Sequence, residues 1–286
     1  MELTGVGIWS NQLRYGDPAE IADAAAELDE LGFTALWIPD VGGPLFDAVD
    51  RLLTSTTRAV VATGILNLWM HSADDVADSY AALTDKHGNR FLLGIGVSHA
   101  PVIDATQPGR YTKPLAATAS FLDGLDAAPR PVPAERRVLA ALGPKMLTLS
   151  AARARGAHPY LVTTEHTASA RSVLGEGPLL LPEQTVILCD GADEARRIGT
   201  DWLRAYLAFP NYSNNLLRSG FTEDDLARVS DRLFDAIIAW GDEGAVMRRV
   251  AEHRAAGADH VCVQVLGADQ SAFPREQWRR IAAAAV

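Results

Sequence analysis

With 286 residues, 48% of them hydrophobic and 22% charged, the chain is long enough for one barrel or two small domains and for a large core. A formal net charge of -10 argues against nucleic acid or an anionic membrane as the main partner. It leaves room for a phosphorylated cofactor, because backbone N–H groups hold phosphate locally.

The opening residues Met1-Glu2-Leu3-Thr4-Gly5 lack the basic segment and apolar run of a signal peptide. No apolar stretch reaches transmembrane length, and the expected location is cytoplasmic. Predicted strands follow in order at Val6–Ser10, Ala35–Pro39, Ala59–Leu66, Phe91–Val97, Arg137–Leu142, Tyr160–Val162, Thr185–Cys189 and His260–Val265. Several are apolar almost throughout, as parallel strands covered by helices should be.

Between the strands lie amphipathic stretches with helix boundaries. Asp17-Pro18 opens one that ends before Gly32, reading as N-cap, N1 proline and C′ glycine. Ser72 precedes Ala73–His87, with Gly88 beyond. Pro144–Arg155 is followed by Gly156, and Glu252–Ala256 by Gly257. The repeated helix–glycine–strand joint is an α/β signal. Between Asp190 and Asp259 no strand is expected. Helical patterns at Asp193–Ala208, Glu223–Trp240 and Glu243–Ala256 suggest extra helices between strands seven and eight. Pro129–Pro133 is a stiff connection too short to divide the chain, so residues 1–286 are read as a single domain. Eight strands with intervening helices predict a (β/α)8 TIM barrel; a doubly wound open sheet uses the same units. Cys189 and Cys262 sit in apolar runs and read as core thiols.

A barrel places its site at the C-terminal ends of its strands. That rule selects Trp9, Ser10 and Asn11, then Asp40, then Asn67, Leu68, Trp69 and His71. Beyond these come Ser98-His99, Gly143-Pro144-Lys145 and Thr163–Thr167. Asp40 is a site carboxylate or a cap. His99 is a proton carrier or an ordinary loop histidine. Trp69 stacks on a ligand or packs the barrel mouth. Lys145 opposes a helix dipole, a hint of anion binding. Thr163-Thr164 offers hydroxyls and free N–H groups, as a phosphate seat or as plain capping. Gly94-Ile95-Gly96 lacks the third glycine of a dinucleotide fingerprint, and no Walker loop or Gly-x-Ser-x-Gly elbow is present. The seven histidines show no metal-ligand spacing.

Five segments together resemble the luciferase-like superfamily, and within it the coenzyme F420-dependent oxidoreductase branch. They are Thr63-Gly64-Ile65-Leu66-Asn67, Ser72-Ala73-Asp74-Asp75, Arg90–His99, Ala141–Met146 and Asp190–Ala195. The resemblance implies a barrel holding a flavin-like ring in its mouth, with a non-prolyl cis peptide at Gly64–Ile65. It implies cofactor contacts at Asp40, Gly64, Ile65, Asn67, Gly143, Pro144, Thr163 and Thr164, and proton handling at His99, with Asp40 as the other catalytic candidate. The acidic tail of F420 needs local cations, for which Lys145, Arg110 and Lys113 are available. Several relatives carry a histidine directly after the acid of strand two. Here Val41 follows Asp40, which leaves that histidine's role without a carrier.

The expected activity is hydride transfer between F420 and a small organic substrate, in a homodimer. The alternatives are an FMN-dependent monooxygenase and a non-catalytic flavin- or deazaflavin-binding barrel. Trp9, Phe46, Trp69, Met70 and Tyr111 suggest an apolar or aromatic substrate.

Overall fold

The computed structural model describes residues 3–285. From the N-terminus, β1 (Val6–Trp9) leads through α1 (Gln12–Tyr15) and α2 (Pro18–Glu30) to β2 (Ala35–Ile38). Next come α3 (Leu45–Ser55), β3 (Val60–Thr63), the short β4 (Leu66–Asn67), α4 (Ala73–His87) and β5 (Phe91–Gly96). Helices α5 (Ala100–Thr106) and α6 (Pro114–Ala127) precede β6 (Arg137–Leu139); α7 (Pro144–Arg153) precedes β7 (Gly156–Ala157). Helix α8 (Thr164–Leu174) leads to β8 (Leu179–Leu180) and β9 (Glu183–Leu188). An insertion then supplies α9 (Ala192–Leu207), α10 (Pro210–Arg218), α11 (Glu223–Arg228), α12 (Asp231–Ile237) and β10 (Ile238–Gly241). The chain finishes with α13 (Glu243–Ala255), β11 (Val261–Val265) and α14 (Arg275–Ala284).

All strand pairings among the described residues are parallel, in the order β10-β9-β11-β1-β2-β3-β5-β6-β7-β8, with β4 beside β5. The run from β8 into β9 links the β8 end of this path to the strand next to its other end. Leu181 and Glu183 donate their N–H groups to the carbonyls of Ala157 and Pro159, while Pro182 accepts from Cys262 N–H. The sheet therefore curls back on itself in a TIM-barrel-like arrangement, with helices inserted after the seventh strand run. Side chains alternate as a covered barrel requires. Trp37 and Ala62 point inward with Leu92, Val138 and Cys262, while Leu36, Ile38 and Val61 face the helices.

Three details depart from the sequence reading. The sixth strand is Gly156–Ala157, so Tyr160–Val162 is the loop at its C-terminal end. Gly156 is a strand residue and not a helix cap: a Cβ there would lie 1.9 Å from Leu179 O, so the two backbones can pair this closely only at glycine. The insertion does contain a strand. Val229 adopts a left-handed conformation and Ser230 caps α12, which splits the Glu223–Trp240 pattern before Ile238–Gly241 pairs with β9. Cys189 and Cys262 are both free thiols, Cys262 fully buried.

Candidate active site

The strand ends surround a cavity of about 410 Å³, within the size range of small-molecule sites. Asp40, Gly64, Ile65 and His99 all line it, brought from the ends of β2, β3 and β5. The Gly64–Ile65 peptide is cis, as the resemblance implies. Trp9 Nε1–H donates to Gly64 O at 3.1 Å and fixes the indole against this segment. Across β3 and β5, Thr63 Oγ1 both donates to Gly94 O and accepts from Gly94 N–H, each at 2.8 Å. A Cβ on Gly94 would stand 1.9 Å from Thr63 O, so this close approach needs glycine.

Asp40 is buried and fully engaged. Its Oδ2 accepts from Asn67 N–H at 3.1 Å and sits 2.8 Å from His71 Nε2. A histidine therefore does stand against Asp40, delivered by the loop after β4 and not by position 41. Listing the polar residues at neighbouring strand ends already contained this pair. Asn67 lies behind Asp40, away from the cavity lining, and its side chain accepts from Trp69 N–H. Trp69 in turn donates Nε1–H to Val97 O at 2.8 Å, the packing alternative for that residue, and rests near Tyr111.

Ser98 takes φ +52° and turns the chain so that His99 faces the cavity. The imidazole stacks on Phe209, with ring centroids 4.1 Å apart, and its Nδ1 lies 2.8 Å from Asn211 Oδ1. Burial lowers its pKa from the ordinary histidine value, and the Asn211 hydrogen bond opposes that shift.

Gly143, Pro144, Lys145, Thr163 and Thr164 are not among the cavity-lining residues. Gly143 is the N-cap of α7, and Pro144 and Lys145 are exposed at its start. Thr163 is the buried N-cap of α8, its hydroxyl accepting from His166 N–H, and Thr164 opens that helix. The carboxylate of Glu165 already sits there: hydrogen bonds from the Thr163 hydroxyl, its own N–H and the Thr164 hydroxyl lower its pKa. Arg110 and Lys113 lie in the exposed turn before α6.

The barrel interior contributes polar groups that strand-end reasoning missed. Tyr160 donates to Gln264 Oε1 at 2.6 Å and lies 3.2 Å from Tyr206 Oη. Burial raises the pKa values of Tyr160, Tyr206 and Tyr212, so these cavity-lining hydroxyls stay protonated. His158 stacks on Trp37 and donates from Nδ1 to Leu181 O at 2.7 Å; a carbonyl only accepts, so Nδ1 carries the proton. Burial lowers the His158 pKa to about 4, which keeps it neutral. Placing Tyr160 and His158 required knowing where the sixth strand ends, and moving that strand hid both.

A family model described as luciferase-like monooxygenase matches residues 3–128. Over those residues the chain is similar to that family. It is 24% identical, across 93% of its own length and 95% of the relative's, to a Mycobacterium tuberculosis protein assigned as a coenzyme F420-dependent oxidoreductase. Among solved structures it resembles an F420-dependent secondary alcohol dehydrogenase in complex with an F420-acetone adduct, with TM-score 0.73, 14% identity and coverage of 99% and 98% of the two chains. It also resembles the oxygenating constituent of 3,6-diketocamphane monooxygenase from Pseudomonas putida in complex with FMN, with TM-score 0.70, 13% identity and coverage of 98% and 96%. These structural likenesses speak for the fold.

Proposed function

We propose that this luciferase-like chain is an oxidoreductase that holds a deazaflavin, coenzyme F420, in the barrel mouth and transfers a hydride to or from a small organic substrate. The observation that carries this is one cavity bringing Asp40, Gly64, Ile65 and His99 together at the strand ends. The relative from Mycobacterium tuberculosis supports the choice of cofactor.

The cavity fits a flat aromatic ring system. Trp9, Ile65, Val97, Leu142, Met146 and Phe209 provide apolar walls, and the polar side chains among the lining include the hydrogen-bonded Asp40, His99, Tyr160 and Asn211. Gly64 and Ile65 would form part of the wall that holds the ring. Asp40, held by His71 and Asn67, fixes the loop after β2 beside it. The N-termini of α7 and α8, with Lys145, Thr163 and Thr164, would offer donors and a cation to an anionic tail. When bound, F420 supplies a two-electron hydride donor or acceptor.

His99 then handles the proton. Its Nδ1–H is spent on Asn211, which leaves Nε2 as a neutral base toward the substrate. A lowered pKa keeps this base unprotonated at neutral pH. Tyr212 provides a protonated hydroxyl near the same space. The lining favours an uncharged, apolar or aromatic substrate, since no lysine or arginine among the described residues borders the cavity.

That same scarcity of cations favours a second reading, an FMN-dependent monooxygenase, because FMN brings a single phosphate where F420 brings a longer acidic tail. Fluorescence titration of the purified protein with F420 and with FMN separates them. Tight F420 binding with weak FMN binding is expected; the reverse would transfer the assignment to the monooxygenase. We include homodimer assembly in the proposal, to be checked by light scattering.

A further inference from the structure

We propose that Asn211, from the helical insertion, is a positioning residue that sets the tautomer of His99 and so makes Nε2 the proton-accepting atom. This rests on the reading of His99 as the proton-handling group. The two residues are 112 positions apart in sequence, and their contact is the point where the insertion meets the barrel mouth.

The geometry is specific. Phe209 is the N-cap of α10 and Pro210 occupies its first position, so the helix starts at a defined place over the mouth. Three consecutive side-chain contacts follow from that start. Phe209 stacks on the imidazole at 4.1 Å and 11°, Asn211 Oδ1 meets Nδ1 at 2.8 Å, and the Tyr212 ring lies 5.0 Å away. An amide oxygen can only accept, so this bond requires the proton on Nδ1. Stacking fixes the plane of the ring, and the amide fixes which nitrogen is bare. Together they remove the freedom to present an N–H where a base is needed.

The titratable side chains sharing the cavity with His99 are Asp40 after β2, Tyr111 before α6, His158 and Tyr160 after β7, Tyr206 on α9 and Tyr212 on α10. The tyrosines are held protonated by burial and His158 is held neutral. Asp40 is paired with His71. Asn211 is the hydrogen-bond partner that this network gives His99.

Nitrogen-15 NMR of protein labelled in histidine reads the tautomer directly, without cofactor or substrate, and His99→Gln assigns the signal. Wild type should show the Nδ1–H form, and Asn211→Leu should move His99 toward the Nε2–H form. An Nε2–H wild type, or an unchanged tautomer in Asn211→Leu, would overturn the proposal. Asn211→Asp gives a second test that does not depend on the first variant folding. A carboxylate at the same place should raise the His99 titration midpoint by about one pH unit or more, while preserving Nδ1–H. No upward movement would also count against the proposal. Should the NMR results hold while His99→Gln leaves turnover unchanged, the positioning stands and the catalytic reading of His99 fails.

Discussion

Replacing Glu183 by glutamine should make the protein more stable at alkaline pH and change it little at mildly acidic pH. Glu183 opens β9 inside the barrel and is 1% exposed. It accepts one hydrogen bond from Thr185 Oγ1 at 2.6 Å and one from Leu161 N–H at 3.3 Å. No cation is paired with it among the described residues, and burial raises its pKa from 4.5 to about 7. The folded state thus holds its proton more tightly than the unfolded chain. Its stabilising effect is complete below pH 4.5 and is lost as pH rises through 7. At about 1.36 kcal/mol per pH unit, the full loss is about 3 kcal/mol, of which about 2.5 kcal/mol falls between pH 5 and pH 8. The glutamine keeps the Thr185 bond and sets its amide against Leu161 N–H, a cost of about 1 kcal/mol that does not vary with pH. His158, His253 and His260 have pKa values lowered to about 4, 3 and 4, so they withdraw stability as pH falls from 6.5. They are common to both proteins and cancel. Urea unfolding of wild type and Glu183→Gln at pH 5, 6, 7 and 8 measures the difference. A gap that stays constant over this range would refute the burial argument.

His99→Gln should lower turnover with a competent substrate by about 10²–10⁴-fold and leave cofactor affinity within about twofold. Steady-state kinetics and fluorescence titration check this together, and equal turnover would place the histidine outside the proton route. Lys145→Ala should weaken F420 binding by at most about 1 kcal/mol, because the side chain is exposed and screened by solvent. Titration at low and high salt tests it: the loss should shrink as salt rises, and a loss independent of salt would mean direct, buried contact.

Much of the barrel was legible because each strand is a short apolar run bounded by helix punctuation. The N-caps Asp17, Ser72 and Thr163 each accept N–H bonds in the positions their residue types suggest. The sixth strand escaped for a physical reason. Gly156–Ala157 is only two residues long and packs against backbone, so it carries no run of bulky apolar side chains. The more apolar Tyr160–Val162 attracted the assignment instead. Strand β10 escaped because Ile238–Trp240 continues the apolar pattern of α12, and the break depends on tertiary pairing with β9. Of the residues that line the cavity, Asp40 and His99 were reached from strand ends, which a parallel barrel gathers, whereas Gly64 and Ile65 entered only through the family resemblance. Asn211 and Phe209 were beyond reach, since nothing local in α10 shows that it lies over the mouth. His71 was in view, but its partnership with Asp40 spans 31 positions and follows from the neighbouring order of β2 and β3.

The distribution of charge leads to the last prediction. The one carboxyl side chain lining the cavity, Asp40, is tied to His71 and Asn67, so on the proposed reading ring binding would depend on shape more than charge. On the proposed reading, an anionic tail would meet the helix N-termini outside. At α8 that place is taken by the chain's own Glu165, whose lowered pKa reports how well the helix end holds a negative charge. A phosphate arriving there would meet both the favourable helix end and an unfavourable carboxylate. Glu165→Gln removes the repulsion and keeps a side chain of the same shape. Affinity for a phosphorylated cofactor should then rise by about 0.3–1 kcal/mol at low salt. Affinity for riboflavin, which has the ring without the phosphate, should not change. Parallel titrations with FMN and riboflavin make the comparison within one ring system. Equal gains for both would show that Glu165 acts on the ring pocket, and no gain for FMN would show that the tail does not approach α8.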